Sequence, residues 1–180
     1  METKHLPHYC HPGRRLFSIN GLVIHFISDR FRHPEDPFNF DHIFNLLTEA
    51  KLSYHVIIPR EGDPVETLPA HLEAWHAGYS RLNNIDYCNH FTHGIALVGK
   101  PGLEYTESQL IHLGQYTAQD MSENGYTSEW IAGHEDVRRN WNDRYPDKAD
   151  KPKHDPGSLF PWGALREMID GVNLANKLKG

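Results

Sequence analysis

The sequence predicts a single α/β domain of three layers, a central mixed β-sheet flanked by helices. Three observations carry that prediction. Residues 21–27, 54–58 and 94–99 are short apolar runs with the length of buried strands rather than of helices. Residues 38–51 carry apolar side chains at helical spacing, and Thr106 with Gln109 forms the capping box that opens a second helix. No repeat, low-complexity tract or Gly/Ser linker interrupts the 180 residues, a length that suits one domain with a full core.

In chain order, residues 1–13 are expected as an N-terminal extension, and residues 14–180 as one domain with no separate wall-binding module. Residues 21–27, Gly-Leu-Val-Ile-His-Phe-Ile, suit a central strand buried on both faces. Residues 38–51 place apolar side chains at 40, 43, 44, 46 and 47, with Asp41 and Glu49 turned outward. The strand at 54–58 leads through the turn 60–63 to a hairpin partner at 65–68. Residues 94–99 form a further strand, and the capped helix runs from Thr106 to about Asn124, stopping before Gly125. A short strand at 130–134 ends on His134, and a long polar loop is expected over 138–156, with three prolines. Pro161 starts a final amphipathic helix that reaches about Leu178.

Composition excludes several function classes. Eighteen basic against 24 acidic side chains leave a net charge of −6, the wrong sign for a general nucleic-acid partner. No window approaches the ~20 apolar residues of a membrane span, so no membrane insertion is expected. The N-terminus lacks the apolar run of a signal peptide, so the chain is expected to be made in a cytoplasm without the usual export signal. Cys10 and Cys88 are the only cysteines and have no Cys-x-x-Cys spacing, which favours two thiols over a disulfide. The unusual number is 14 histidines, which points to metal chemistry because imidazole is the commonest metal ligand.

Position within the elements narrows that hint. His25 interrupts an otherwise apolar strand, where an unpaired polar group is costly to bury. His134 ends a strand, and Asp155 closes the polar loop. Two imidazoles and a carboxylate compose a catalytic zinc site with a fourth position open. Lys153 stands two residues before Asp155, so in extended chain both face one pocket, and its ammonium can stabilise an oxyanion there. Taken alone, these residues also fit a hydrogen-bonded core histidine and a lysine in a solvated loop beside Lys148, Asp150 and Lys151. His5, His8 and His11 read as exposed terminal residues, since Pro7 and Pro12 prevent a helix that would align them. His71, Glu73 and His76 do not have the spacing of the zincin motif.

Five segments in order resolve the ambiguity by resemblance. They are Trp75-His76-Ala77-Gly78 with Ser80, residues 88–99 (CNHFTHGIALVG), Tyr105-Thr106-Glu107-Ser108-Gln109, Gly133-His134-Glu135-Asp136-Val137, and Lys153-His154-Asp155-Pro156-Gly157 with Phe160-Pro161-Trp162. Together they resemble the type 2 zinc N-acetylmuramoyl-L-alanine amidases, a group that includes muropeptide-recycling AmpD enzymes, phage endolysins and peptidoglycan-recognition proteins. The resemblance spans about His11 to Arg166. It implies that His25, His134 and Asp155 bind zinc and that Lys153 steadies the transition-state oxyanion. It further implies hydrolysis of the amide between the lactyl group of N-acetylmuramic acid and L-alanine of a peptidoglycan stem peptide. Trp75 and His76 would line the substrate groove, and Asn89 would contact substrate or hold a structural hydrogen bond. His154 is the substitute ligand should Asp155 not serve.

Two positions depart from the recycling enzymes. The strand glutamate usual in them is Ala96 here, and Tyr54 stands where phage amidases carry a tyrosine that hydrogen-bonds the attacking water. An ordinary phenol, with a pKa near 10, is a poor base, so Tyr54 is expected to position water. Tyr54 with Ala96 favours a bacteriolytic endolysin, which reaches the cell wall after holin action, over a cytosolic anhydro-muropeptide amidase. A non-catalytic peptidoglycan-binding protein is the rival of another class, and all three ligand positions being filled argues against it. The chain is expected to act as a monomer on peptidoglycan or muropeptides.

Overall fold

A computed structural model describes residues 1–179, with side chains through Val172. In chain order the first half holds β1 (Glu2–Thr3), β2 (Gly13–Arg14), β3 (Gly21–Ile27), α1 (Phe40–Ala50), β4 (Val56–Ile58), β5 (Val65–Glu66) and β6 (Leu72–Glu73). The second half holds β7 (Arg81–Leu82), β8 (Ile85–Asp86), β9 (Thr92–Val98), α2 (Glu107–Asn124), β10 (Ile131–Gly133), α3 (His134–Arg144) and α4 (Trp162–Lys179). Six strands form one sheet in the order β1-β5-β4-β9-β3-β10. Only the β4–β5 pair is antiparallel, so the sheet is mixed, as expected. Two small antiparallel ribbons, β2 with β6 and β7 with β8, lie outside it.

Side chains alternate across the sheet and build two cores. On one face Leu22, Ile24, Ile95 and Leu97 pack with Leu113 of α2 and with Leu165 and Ile169 of α4. On the other, Ile27, Ile57, Ala96 and Val98 pack with Ile43 and Leu47 of α1, while Val23 meets Val137 of α3. Each fully buried Leu or Ile contributes about 1.5–3 kcal/mol relative to exposure. Val23, His25 and Ile27 alternate along β3, so the imidazole of His25 enters the α1/α3 layer.

The caps follow the sequence. The Asn39 side chain accepts from the amides of Asp41 and His42 at the start of α1. At α2 the expected box is complete: Thr106 Oγ1 accepts from Gln109 N at 3.2 Å, and Gln109 Oε1 accepts from Thr106 N at 3.1 Å. The same Gln109 amide donates to Ile58 O and Val98 O, tying the helix to the ends of β4 and β9.

Two expectations need correction. Residues 138–156 are not one long loop, because α3 covers His134–Arg144 and a 3-10 turn follows at Pro146–Lys148. Val137 and Trp141, four residues apart, are buried on one face of α3 and hold it against the domain. His134 therefore begins a helix rather than ending a strand. Residues 1–13, expected as an extension, pack against the domain: β1 pairs in parallel with β5 at the sheet edge, and Leu6 and Cys10 are buried. Cys10 and Cys88 are both free and buried.

Candidate metal centre and active site

Three elements deliver the three expected ligands to one point. His25 comes from the middle of β3, His134 from the first turn of α3, and Asp155 from the segment that returns along α3. Helix α3 grips that segment at successive turns. Trp141 Nε1 donates to Lys148 O at 3.3 Å, and the Asn142 side chain bonds both Asp150 N and Asp150 O. Glu135 N donates to Asp155 O at 2.8 Å. Pro156 closes the other side, packed so tightly on Gly133 that a Cβ there would lie 2.6 Å from its Cδ.

His25 Nδ1, His134 Nδ1 and Asp155 Oδ2 form a triangle with edges of 2.9, 3.1 and 3.1 Å. Hydrogen bonds on the far sides of the rings decide where the protons sit. His134 Nε2 lies 3.2 Å from Ala77 O, a pure acceptor, so Nε2 carries the hydrogen and Nδ1 the lone pair. For His25 the polarity is set three groups away. Thr92 Oγ1 donates to Cys88 O at 2.7 Å and so accepts from His76 Nε2 at 3.4 Å. His76 Nδ1 then accepts from His25 Nε2 at 3.0 Å, again leaving Nδ1 of His25 bare. Burial lowers the His25 pKa to about 4, with the hydrogen-bonding carboxylate of Asp155 opposing it, so the ring is neutral near pH 7.

Three lone pairs thus converge with no hydrogen among them. Such a cluster of acceptors is repulsive unless a cation sits at its centre. Bonds of about 2.0–2.1 Å to a tetrahedral zinc ion require donor separations of about 3.3 Å. The observed edges fall short of that by only a few tenths of an ångström. Two imidazoles, one carboxylate and an open fourth direction suit a catalytic rather than a structural zinc site. Among the described residues, this is the group found able to hold a metal. His154 is exposed and lines a different cavity, so it does not join the cluster.

The triangle opens into a cavity of about 390 Å³ lined by Tyr54, Trp75, His76, Asn89 and Lys153 together with His134 and Asp155. A larger cavity of about 720 Å³ lies against α2 and contains none of these groups, so donor chemistry rather than size locates the site. Tyr54 packs its ring 4.9 Å from that of His25. Burial, with the charge of Asp155 second, pushes the phenol well above its ordinary value. Lys153 is exposed at the rim on the same cavity as Asp155, as alternation in an extended segment requires. Trp75 is half-buried on the wall.

His76 and Asn89 do more within the protein than facing the cavity would require. His76 is 7% exposed and bonded on both ring nitrogens. Asn89 Oδ1 accepts from His76 N and Ala77 N and so shapes the loop that presents both. Gly94 makes room for the imidazole, since a Cβ there would lie 2.5 Å from His76 Cγ. Ala96 stands directly opposite His25 in the sheet and is fully buried, leaving no carboxylate at that position. Sequence reasoning missed Thr92, Gly94 and the Ala77 carbonyl, whose partners are distant in the chain.

Comparison with known proteins identifies the architecture. The family model described as N-acetylmuramoyl-L-alanine amidase matches residues 15–158. The chain belongs to that family. It is an amide hydrolase of the N-acetylmuramoyl-L-alanine amidase class, acting on peptidoglycan. Among relatives of this amidase, the 1,6-anhydro-N-acetylmuramyl-L-alanine amidase AmpD of Salmonella typhimurium is 30% identical over 176 residues, covering 91% of this chain and 87% of the relative. A crystal structure of an AmpD derivative superposes with a TM-score of 0.73 at 25% identity, covering 93% of each chain. AmiD from E. coli, solved in complex with the substrate anhydro-N-acetylmuramic acid-L-Ala-D-γ-Glu-L-Lys, gives a TM-score of 0.65 at 24% identity, over 83% of this chain and 57% of that one. That last likeness supports the fold.

Proposed function

We propose that this amidase is a zinc enzyme that cleaves the bond between N-acetylmuramic acid and L-alanine in soluble anhydro-muropeptides. The observation carrying the zinc assignment is the convergence of three proton-free donors at 2.9–3.1 Å beside an open cavity. A zinc ion held there supplies Lewis acidity, which polarises a carbonyl and acidifies water. The residues around it divide the remaining work. Lys153 presents an ammonium at the rim, where charge develops on the amide oxygen. Tyr54 stays a neutral phenol near pH 7, so it orients water by hydrogen bonding and takes up no proton itself. His76 and Ala77 O hold the ligand imidazoles in their metal-binding tautomers. Trp75 walls the groove, and Asn89 supports it from the loop behind.

The substrate class rests on the relatives. Tyr54 with Ala96 pointed to an endolysin, but AmpD of Salmonella typhimurium, 30% identical over 91% of this chain, is named for the 1,6-anhydro sugar. We therefore place the activity on soluble anhydro-muropeptides, and the test compares substrates. The enzyme should release peptide from 1,6-anhydro-N-acetylmuramoyl peptides far faster than from purified intact sacculi, read by mass spectrometry. Equal or faster digestion of sacculi would return the endolysin role.

A further inference from the structure

Arg138 lies one helical turn beyond His134 on α3 and is 3% exposed, yet it lines the metal cavity and the adjoining one. Its Nη1 pairs with Asp150, whose side chain is 47% exposed, and Nη2 reaches Ala77 O only at 3.5 Å. The Nε hydrogen has no partner among the described residues. Gly78, exposed between the two cavities, leaves the approach to Nη2 free; a Cβ there would stand 3.2 Å away. A buried guanidinium whose one strong partner is a half-exposed surface carboxylate is under-satisfied, and it borders the cavity onto which the ligand triangle opens.

Resting on the function proposed above, we infer that Arg138 recognises the free α-carboxylate of the γ-linked D-glutamate in the stem peptide. The dimensions agree. A γ-linked glutamate keeps its α-carboxylate on the Cα next to the alanine carbonyl, about 7 Å from the scissile amide along an extended chain. His134 and Arg138 are four residues apart, about 6 Å along the helix axis and on one face. With the amide at the ligand triangle, the carboxylate arrives over the guanidinium, which binds carboxylates in bidentate geometry. The peptide then continues into the second cavity, about 440 Å³, whose wall carries the exposed rings of Tyr79 and Tyr87 packed on Trp141. Asp150 occupies the guanidinium in the free enzyme and gives way to the substrate carboxylate.

The test uses 1,6-anhydro-N-acetylmuramoyl-L-Ala-γ-D-Glu-L-Lys and the same compound with its glutamate α-carboxylate amidated. The wild-type enzyme should prefer the free carboxylate by about 10-fold or more in kcat/KM. Arg138→Gln should cut both compounds at similar rates, with zinc content unchanged. A merely structural arginine would lower both rates together and keep the ratio. Asp150→Asn removes the competing charge and should widen the preference, which keeps the inference testable should Arg138→Gln fail to fold. No preference in the wild type, a preference that survives Arg138→Gln, or an unchanged or narrowed ratio in Asp150→Asn overturns it. Cleavage of neither compound by the wild type would instead refute the function on which it rests.

Discussion

His25 and His134 point their Nδ1 atoms at each other across 3.1 Å, and the bonds on their opposite nitrogens leave no hydrogen between them. For His25 that arrangement depends on His76. His76→Phe keeps a ring under Gly94 but removes the acceptor for His25 Nε2. Zinc affinity should fall about 10- to 100-fold, measured by competition with a chelating dye, while circular dichroism stays unchanged. If His76 serves only as a substrate contact, affinity will hold and KM alone will rise.

Tyr54 lines the cavity and packs its ring on that of His25, so a phenylalanine keeps the packing and removes only the hydroxyl. Tyr54→Phe should lower kcat by about 100-fold with zinc content and melting temperature near those of the wild type. Because burial raises the phenol's pKa, the wild-type rate should show no loss from phenol ionisation between pH 6 and 9. Wild-type turnover in Tyr54→Phe would reduce Tyr54 to a packing residue.

Gly94 is required by the position of the His76 ring rather than by the strand. In Gly94→Ala the new methyl meets the His76 ring at 2.5 Å from Cγ, so either the ring or β9 must move. The expected cost is about 1–3 kcal/mol in urea denaturation, together with weaker zinc binding. A variant as stable as the wild type would show that the ring can move at no cost.

Burial pushes the Cys88 thiol up to about 12 and raises Cys10 as well, so both stay protonated at pH 8. A raised thiol pKa means the reactive thiolate is scarce below that value. A thiol reagent at pH 8 should titrate no groups in the native protein and two in guanidinium chloride. Fast reaction of either cysteine before unfolding would contradict the burial of Cys10 with Ile43 and Leu47 of α1 and of Cys88 with Val23 and Val137.

What could be read from the sequence follows from where each signal resides. His25 was visible because one polar residue in a run of apolar ones has to be accounted for, and the α2 box because both of its partners lie within four residues. Helix α3 was hidden because Val137 and Trp141 are its only buried apolar residues among charges, and its grip on Lys148–Asp155 is tertiary. His76 lines the cavity as expected, but its hydrogen bond to the His25 ring was hidden for a similar reason. Its decisive partner is 51 residues away, and its orientation is fixed by Thr92 at the start of β9. The histidine excess is also partly accounted for by structure. His55 accepts from Gly94 N and His93 bonds Asp120, so both serve as internal hydrogen-bonding residues.

The most direct test of the metal centre joins metal analysis to product analysis in one preparation. Wild-type protein should hold about one zinc per chain and release L-alanine-terminated peptide from an anhydro-muropeptide. His134→Ala should lose both, and chelated wild type should regain activity on adding zinc. Full cleavage by a zinc-free His134→Ala protein would contradict the assignment.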